Sequence, residues 1–255
     1  MANQQGASKR AVVTPTKEVP PACLLRIKRD ITELNADPPP GIFIAPQEND
    51  ITKVNAIVMG PKGTPLEGGF FHLHVEFTDR YPLEPPKVRF LTTDAGRVRF
   101  NEHVYASGYI CLSTLNTHGS SWSPAQSLSS LLISIQSLLS EIPKCTAQEA
   151  NERLQSILEH ETVRVAVCDV VEACLQEKSS FAETLKDAVL EKFPEFYDKY
   201  EGIVKSRLHL TGTKMNDPMG LNSGTYKFEE LLTKLQELKA KVAEKKEAAA
   251  AKADT

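Results

Sequence analysis

The chain has 255 residues, 30 Lys+Arg against 33 Asp+Glu, and a net charge of −3, so no global charge draws it to nucleic acid or to an anionic membrane. Its apolar and charged fractions, 41% and 25%, are those of an ordinary globular protein, and its longest apolar runs, a few residues each, exclude a transmembrane helix. Five cysteines with no Cys-x-x-Cys pair argue against a disulfide framework or a zinc cage and fit a reducing cytosolic or nuclear setting.

Residues 1–19 are small and polar, without the apolar core of a signal peptide and without Gly at position 2, and are expected to be disordered. From Pro20 to Ala36, Leu24, Ile27, Ile31 and Leu34 recur at helical spacing, with Arg26 and Arg29 on the opposite, solvated face. Asp37-Pro38-Pro39-Pro40-Gly41 ends that helix. Four strand-like runs follow, Ile42–Ala45, Val54–Met59, Phe70–Phe77 and Val88–Leu91, separated by turn-forming segments close enough together for an antiparallel meander. In the third run Phe71, Leu73, Val75 and Phe77 share one face, and His72, His74 and Glu76 the other, where the two histidines have no evident third metal ligand and are read as surface residues.

Ser123 is positioned as a helix N-cap, with Pro124 at the first helical position and Gln126 completing a capping box. Leu128, Leu131, Leu132, Ile135, Leu138 and Leu139 form the apolar stripe of that helix. Another helix is expected from about Gln148 to Cys174, and two more amphipathic stretches at Phe181–Tyr200 and from Tyr226 onward. The tail Lys239–Thr255 is rich in Ala, Lys and Glu and reads as a frayed helix or disordered.

One thiol stands apart. Cys111 ends the polar, turn-rich run Phe100-Asn101-Glu102-His103-Val104-Tyr105-Ala106-Ser107-Gly108-Tyr109-Ile110, a setting that leaves a cysteine accessible. Cys168 and Cys174 fall within a helical pattern and read as small buried hydrophobes, Cys23 starts a helix, and Cys145 lies in a loop without an assigned role.

The order of helix, four-strand meander, cysteine loop and helices resembles the ubiquitin-conjugating enzyme family. Gly60-Pro61-Lys62-Gly63-Thr64-Pro65-Leu66-Glu67-Gly68-Gly69, Tyr81-Pro82-Leu83-Glu84-Pro85-Pro86, Gly108-Tyr109-Ile110-Cys111-Leu112 and Trp122-Ser123-Pro124-Ala125 are similar to its motifs and occur in its order. His160-Glu161-Thr162-Val163-Arg164 and Arg207-Leu208-His209-Leu210-Thr211-Gly212 resemble the Z-type branch of that family, which carries a long C-terminal extension. The resemblance implies an α+β ubiquitin-conjugating fold over residues 20–175, with a helical extension over 176–240 packed on it and a disordered or frayed tail over 241–255.

It further implies a thioester enzyme, a monomer without cofactor or metal, resident in cytoplasm and nucleus. Cys111 takes ubiquitin or a ubiquitin-like modifier from the divergent ubiquitin-activating enzyme and passes it to a lysine or to a ubiquitin ligase. A thiolate suits both transfers as nucleophile and as leaving group. Arg26 and Arg29 correspond to the face that docks on the activating enzyme, and the first helix, Leu83 and the loop Ser123, Pro124, Ala125 to the surface that ligases grip. Leu83 stands where Phe is frequent.

The sequence departs from the family pattern in two places. His103 stands where the family has the Asn that supports the oxyanion or staples the loop, and either role is open to it. No carboxylate falls where the family orients the attacking lysine, with Glu141 and Glu149 near but unassigned and Ser113 in place of a frequent Asp. A catalytically inactive adaptor of the same fold is the alternative that these departures raise. A cysteine hydrolase is disfavoured because no orienting Cys/His pair is recognisable.

Overall fold

The protein is described by a computed structural model that covers residues 19–115, 117, 122–220 and 222–253. The expectation of disorder over residues 1–19 falls, Val19 apart, outside the described residues. Helix α1 (Pro21–Ala36) opens on a proline, whose missing N–H is no loss in a first turn, and buries Cys23, Ile27, Ile31 and Leu34 along one side. Strands β1 (Ile42–Gln47), β2 (Asp50–Met59), β3 (Phe70–Glu76) and β4 (Lys87–Phe90) form one antiparallel sheet in the order of the chain, the meander expected from the short connections.

The sheet divides two cores. Phe71, Leu73, Val75 and Phe77 pack with the apolar faces of α1 and of α2 (Leu128–Leu138). On the sheet's other face Ala45, Ile57, Met59 and Phe70 belong to a second cluster, filled by residues far along the chain. The surface reading of the β3 histidines is corrected for His72. The His72 ring lies 4.6 Å from the Phe181 ring, and burial pushes it down to about 4, while His74 Nδ1 pairs with Asn55 Oδ1 at 3.0 Å. Phe181, from the C-terminal segment, thus covers His72.

Two further expectations change. Helix α2 begins at Leu128, not near Pro124: Ser127 has the extended backbone of an N-cap, its Oγ accepts the Ser130 amide, and the Ser130 hydroxyl group bonds back to the Ser127 amide. Ser123–Gln126 form a turn instead, the Gln126 amide donating to the Ser123 carbonyl at 2.9 Å. The helix expected over 148–174 runs without a break but changes its winding: α3 (Gln148–Glu161) passes into a π-helical segment Thr162–Asp169 and then into α4 (Val170–Leu175). The wider π turn lets one stretch serve both cores, Val165 and Ala166 facing the first and Val163, Val167 and Cys168 the second.

Helix α5 (Glu183–Ser206) packs on β1, and α6 (Phe228–Ala253) packs on α5, α4 and the π segment. Phe193, Tyr200 and Phe228 are fully buried between them, each worth about 2–3 kcal/mol of transfer from water. Beyond Leu238 the helix continues through the alanine-rich tail, where Val242 is still buried.

Candidate active site

The flap between β4 and Cys111 has little regular structure and is held by specific bonds. Gly108 makes its sharp turn at φ +83°, and a Cβ there would lie 2.3 Å from the Phe90 carbonyl, so the close approach requires glycine. The Phe90 amide donates to the Gly108 carbonyl at 2.8 Å, and the Gly108 amide to the Tyr105 carbonyl at 2.8 Å. Val104 and Ile110 bridge the two sides of the flap, and both are buried. This leaves Cys111 half-buried at the flap's end, its amide donating to the His103 carbonyl at 2.8 Å. Leu112 is anchored by Thr117, whose Oγ1 accepts the Leu112 amide at 2.7 Å.

The other thiols are poorer nucleophiles or lie elsewhere. Cys23, Cys168 and Cys174 are buried. Burial pushes the Cys168 and Cys174 thiols up to about 12 and raises that of Cys23. Cys145 is half-buried, its backbone clamped by Asn151, which accepts from the Cys145 amide at 2.6 Å and donates to its carbonyl at 2.9 Å.

The stapling of the flap belongs to a residue that the sequence did not single out. Asn101 is fully buried; its Nδ2 donates to the Leu138 and Glu141 carbonyls at 3.0 and 2.7 Å, and its Oδ1 accepts the His103 amide at 2.7 Å. It thus ties the flap to the end of α2 and to the turn that follows, its bond to the Leu138 carbonyl adding to the one from the Glu141 amide at 3.0 Å. An Asn beside Phe100, in a run where Val104 and Ile110 also turn inward, was the available signal. The His103 side chain is 37% exposed, with Nε2 3.6 Å from Glu102 Oε1. The two unassigned carboxylates separate: the Glu141 backbone is bound to the flap through Asn101, whereas Glu149 lines a groove of about 400 Å³ with Arg153, Arg207 and His209.

Arg26 does more than face solvent. Its Nε donates to Asp30 Oδ1 at 2.8 Å, Nη1 to the Pro124 carbonyl at 2.9 Å and Nη2 to the Gln126 carbonyl at 2.5 Å. It therefore fixes the Ser123–Gln126 turn, leaving Ser123, Pro124 and Ala125 exposed. Asp30, 2% exposed, also accepts from the Tyr81 hydroxyl and from the Leu128 amide. Arg29 points outward and pairs with Glu33 at 2.7 Å. Leu83 is 69% exposed, and the Trp122 indole donates to the neighbouring Pro82 carbonyl at 2.6 Å, tying the Leu83 segment to the Ser123 turn.

The structure thus presents an α+β scaffold with a half-buried cysteine, Cys111, at the end of a glycine-turned flap. The comparisons give the family. The ubiquitin-conjugating enzyme model matches residues 26–174, and the chain belongs to that family. It is 44% identical over 232 residues to ubiquitin-conjugating enzyme E2 Z of Danio rerio, covering 88% of this chain and 70% of that one. Against the protein of the same name from Xenopus tropicalis the identity is 43%, over 88% of this chain and 73% of the relative, and against that from Homo sapiens 44%, over 88% and 65%. A solved structure of human ubiquitin-conjugating enzyme E2 G1 is similar at 31% identity over 49% of this chain and 99% of that one, with a TM-score of 0.43. The chain is thus a ubiquitin-conjugating enzyme working through a cysteine thioester.

Proposed function

We propose that Cys111 is the cysteine that carries the modifier. The observation that carries this reading is its place: a half-buried thiol at the end of the flap, its amide fixed to the His103 carbonyl, while Cys23, Cys168 and Cys174 are buried. The Cys111 thiolate attacks the thioester carbonyl joining the modifier to the activating enzyme, whose own thiolate leaves. A lysine amine, or a ligase cysteine, then attacks the new thioester. The Cys111 thiolate leaves, and the amine gives up its proton as the amide forms.

His103 is proposed to support the oxyanion of that second step with an imidazole N–H. The support for this reading is that Asn101 and the His103 backbone already make the staple, so the ring is free of that task. The activating enzyme is proposed to be the divergent one, docking on the exposed α1 face that includes Arg29. Ligases are proposed to grip α1, Leu83 and the Ser123–Ala125 turn, which Trp122 and Arg26 hold in a fixed relation. The protein is proposed to act as a monomer in cytoplasm and nucleus, without nucleic acid or membrane.

The test is a gel. With ATP, activating enzyme and ubiquitin, wild type and Cys145→Ala should give a reductant-sensitive adduct and Cys111→Ala none. An adduct that persists in Cys111→Ala overturns the assignment. An inactive adaptor would give no adduct in the wild type.

A further inference from the structure

The connection between α5 and α6 reaches the active-site flap through one side chain. Asn222 is 8% exposed. Its Oδ1 accepts the Arg99 amide at 2.8 Å, and its Nδ2 donates to the Arg99 carbonyl at 3.1 Å. This is the two-point grip that a neighbouring strand would give, made by one carboxamide. Its orientation is fixed by its partners, since a flipped amide would set NH₂ against the Arg99 N–H. Asn222 is itself anchored: Asp217 Oδ2 accepts from its backbone amide at 2.9 Å and from Nδ2 at 3.1 Å.

From Arg99 the grip continues into the flap. Arg99 Nε donates to the Val104 carbonyl at 3.1 Å and Nη2 to the Glu102 carbonyl at 2.8 Å, and the guanidinium lies 4.8 Å over the Tyr105 ring. These two carbonyls bracket His103, whose own carbonyl receives the Cys111 amide. A series of hydrogen bonds thus runs from Asp217 through Asn222 and Arg99 to the two residues on either side of the one that holds Cys111.

We propose that Asn222 is a positioning residue for acyl transfer, acting through Arg99 to fix the flap around Cys111; this rests on the assignment of Cys111 as the acceptor. Asn222 is not part of the apolar cluster between the extension and the catalytic unit, so removing this carboxamide leaves that core filled. What it removes is the side-chain grip on Arg99, whose own side chain holds the flap on either side of His103. Displacing a reacting group by a fraction of an ångström slows the chemical step more than it weakens binding.

The experiment uses full-length wild type, Asn222→Ala, Arg99→Ala and the double variant. Each is charged with ubiquitin by activating enzyme and ATP, and the purified thioester is chased into excess free lysine in a single turnover. Asn222→Ala should discharge about tenfold more slowly, while its KM for the charged activating enzyme moves less than about twofold. Arg99→Ala should be slow in the same step. The double variant should be no slower than the slower single one, because both residues act along one path. Amide exchange at Cys111 should quicken in Asn222→Ala at temperatures far below its thermal midpoint.

A wild-type discharge rate in Asn222→Ala, or losses that multiply in the double variant, overturns the proposal. If Asn222→Ala does not fold, Asp217→Ala removes the anchor and keeps the carboxamide. It should show a smaller loss in the same step, and a wild-type rate there overturns the proposal. A Cys111→Ala lane keeps the two readings apart. An adduct surviving in that lane defeats the acceptor assignment, whereas an adduct lost there beside an unimpaired Asn222→Ala defeats the positioning role alone.

Discussion

The Tyr200 hydroxyl donates to the Gly68 carbonyl at 2.7 Å, joining α5 to the turn before β3 across 132 positions of chain. Both partners are committed to the contact. Tyr200 is fully buried, and burial pushes its phenol well above the usual range. Gly68 has φ +80°, and a Cβ there would lie 2.9 Å from the Phe196 ring and from the Tyr200 hydroxyl oxygen. Beside them Lys199 pairs with Glu67, whose Oε2 accepts the Gly63 amide at 2.6 Å. Tyr200→Phe leaves a buried carbonyl unpartnered and should cost about 1–3 kcal/mol. The thermal midpoint should fall by roughly 2–4 °C for each kcal/mol lost. Gly68→Ala adds backbone strain and a clash and should fall further. Truncation after Leu175 should yield an aggregating protein, because Ala45, Ile57, Met59 and Phe70 lose their cover together. A soluble truncated protein with the wild-type midpoint would contradict this account of the interface.

Arg26 and Arg29 lie three positions apart on α1 and should respond differently. The Arg26 side chain is 21% exposed and reaches Asp30, Pro124 and Gln126, whereas that of Arg29 is 71% exposed and reaches Glu33. Arg26→Ala should lower the thermal midpoint and loosen the Ser123–Gln126 turn. Arg26→Lys should not restore it, since an ammonium cannot make three bonds in a fork. Asp30→Asn removes the charge from the centre of the network and should cost about 3 kcal/mol or more. Arg29→Ala should leave the midpoint unchanged and raise the KM for the charged activating enzyme. A midpoint that moves equally in Arg26→Ala and Arg29→Ala would refute this division.

His72 makes stability depend on pH. Its Nε2 is buried without a hydrogen-bond partner among the described residues, and burial, with His74 nearby, lowers its pKa to about 4. In the unfolded chain the group titrates near 6.5, so between about pH 6.5 and 4 the unfolded state binds the extra proton. The stabilisation is complete above about pH 6.5 and is lost as pH falls toward 4. The slope of unfolding free energy against pH in that window should be positive in the wild type and flatter in His72→Phe, which keeps the contact with Phe181 and cannot protonate. Equal slopes in the two proteins would show that His72 is already protonated in the fold. A second loss belongs to lower pH. Despite burial, hydrogen bonds from His160 and Arg164 depress the Glu161 carboxyl, so its contribution disappears only as pH falls below the ordinary carboxylate range.

Much of the fold was legible because burial imposes a period. The alternation Phe71, Leu73, Val75, Phe77 fixed one face of β3, and the stripe Leu128 to Leu138 fixed α2. The other face of β3 was misread because a polar His72 looks the same whether water or Phe181 covers it. The cap moved from Ser123 to Ser127 because both residues are followed three later by a side chain able to close a box, and it is Ser127 and Ser130 that exchange the two bonds. The partly accessible setting of Cys111 was legible from its turn-rich run, and the structure leaves that thiol half-buried at the flap's end. Asn101 and Asn222 were not legible, since a carboxamide that grips a backbone leaves no periodic trace, and Asn222 acts 123 positions from its partner.

The His103 ring can be tested apart from its backbone. Its amide is held by Asn101 Oδ1 and its carbonyl holds the Cys111 amide, and neither bond depends on the side chain. A substitution there therefore reads the imidazole alone, with the flap still stapled. An oxyanion develops in both transfers, but in the second the attacking amine must also lose a proton, so donor support weighs most there. His103→Ala should charge from the activating enzyme at near the wild-type rate and discharge to free lysine up to about 10²-fold more slowly, the scale of one lost oxyanion donor. His103→Asn, which restores an N–H donor of shorter reach, should recover part or all of the discharge rate. Glu102→Gln, which removes the carboxylate 3.6 Å from Nε2, should leave more N–H available and discharge at least as fast as the wild type. Equal slowing of charging and discharge in His103→Ala would mean that the ring does staple the flap. A His103→Asn protein as slow as His103→Ala would mean that the position carries no oxyanion donor at all.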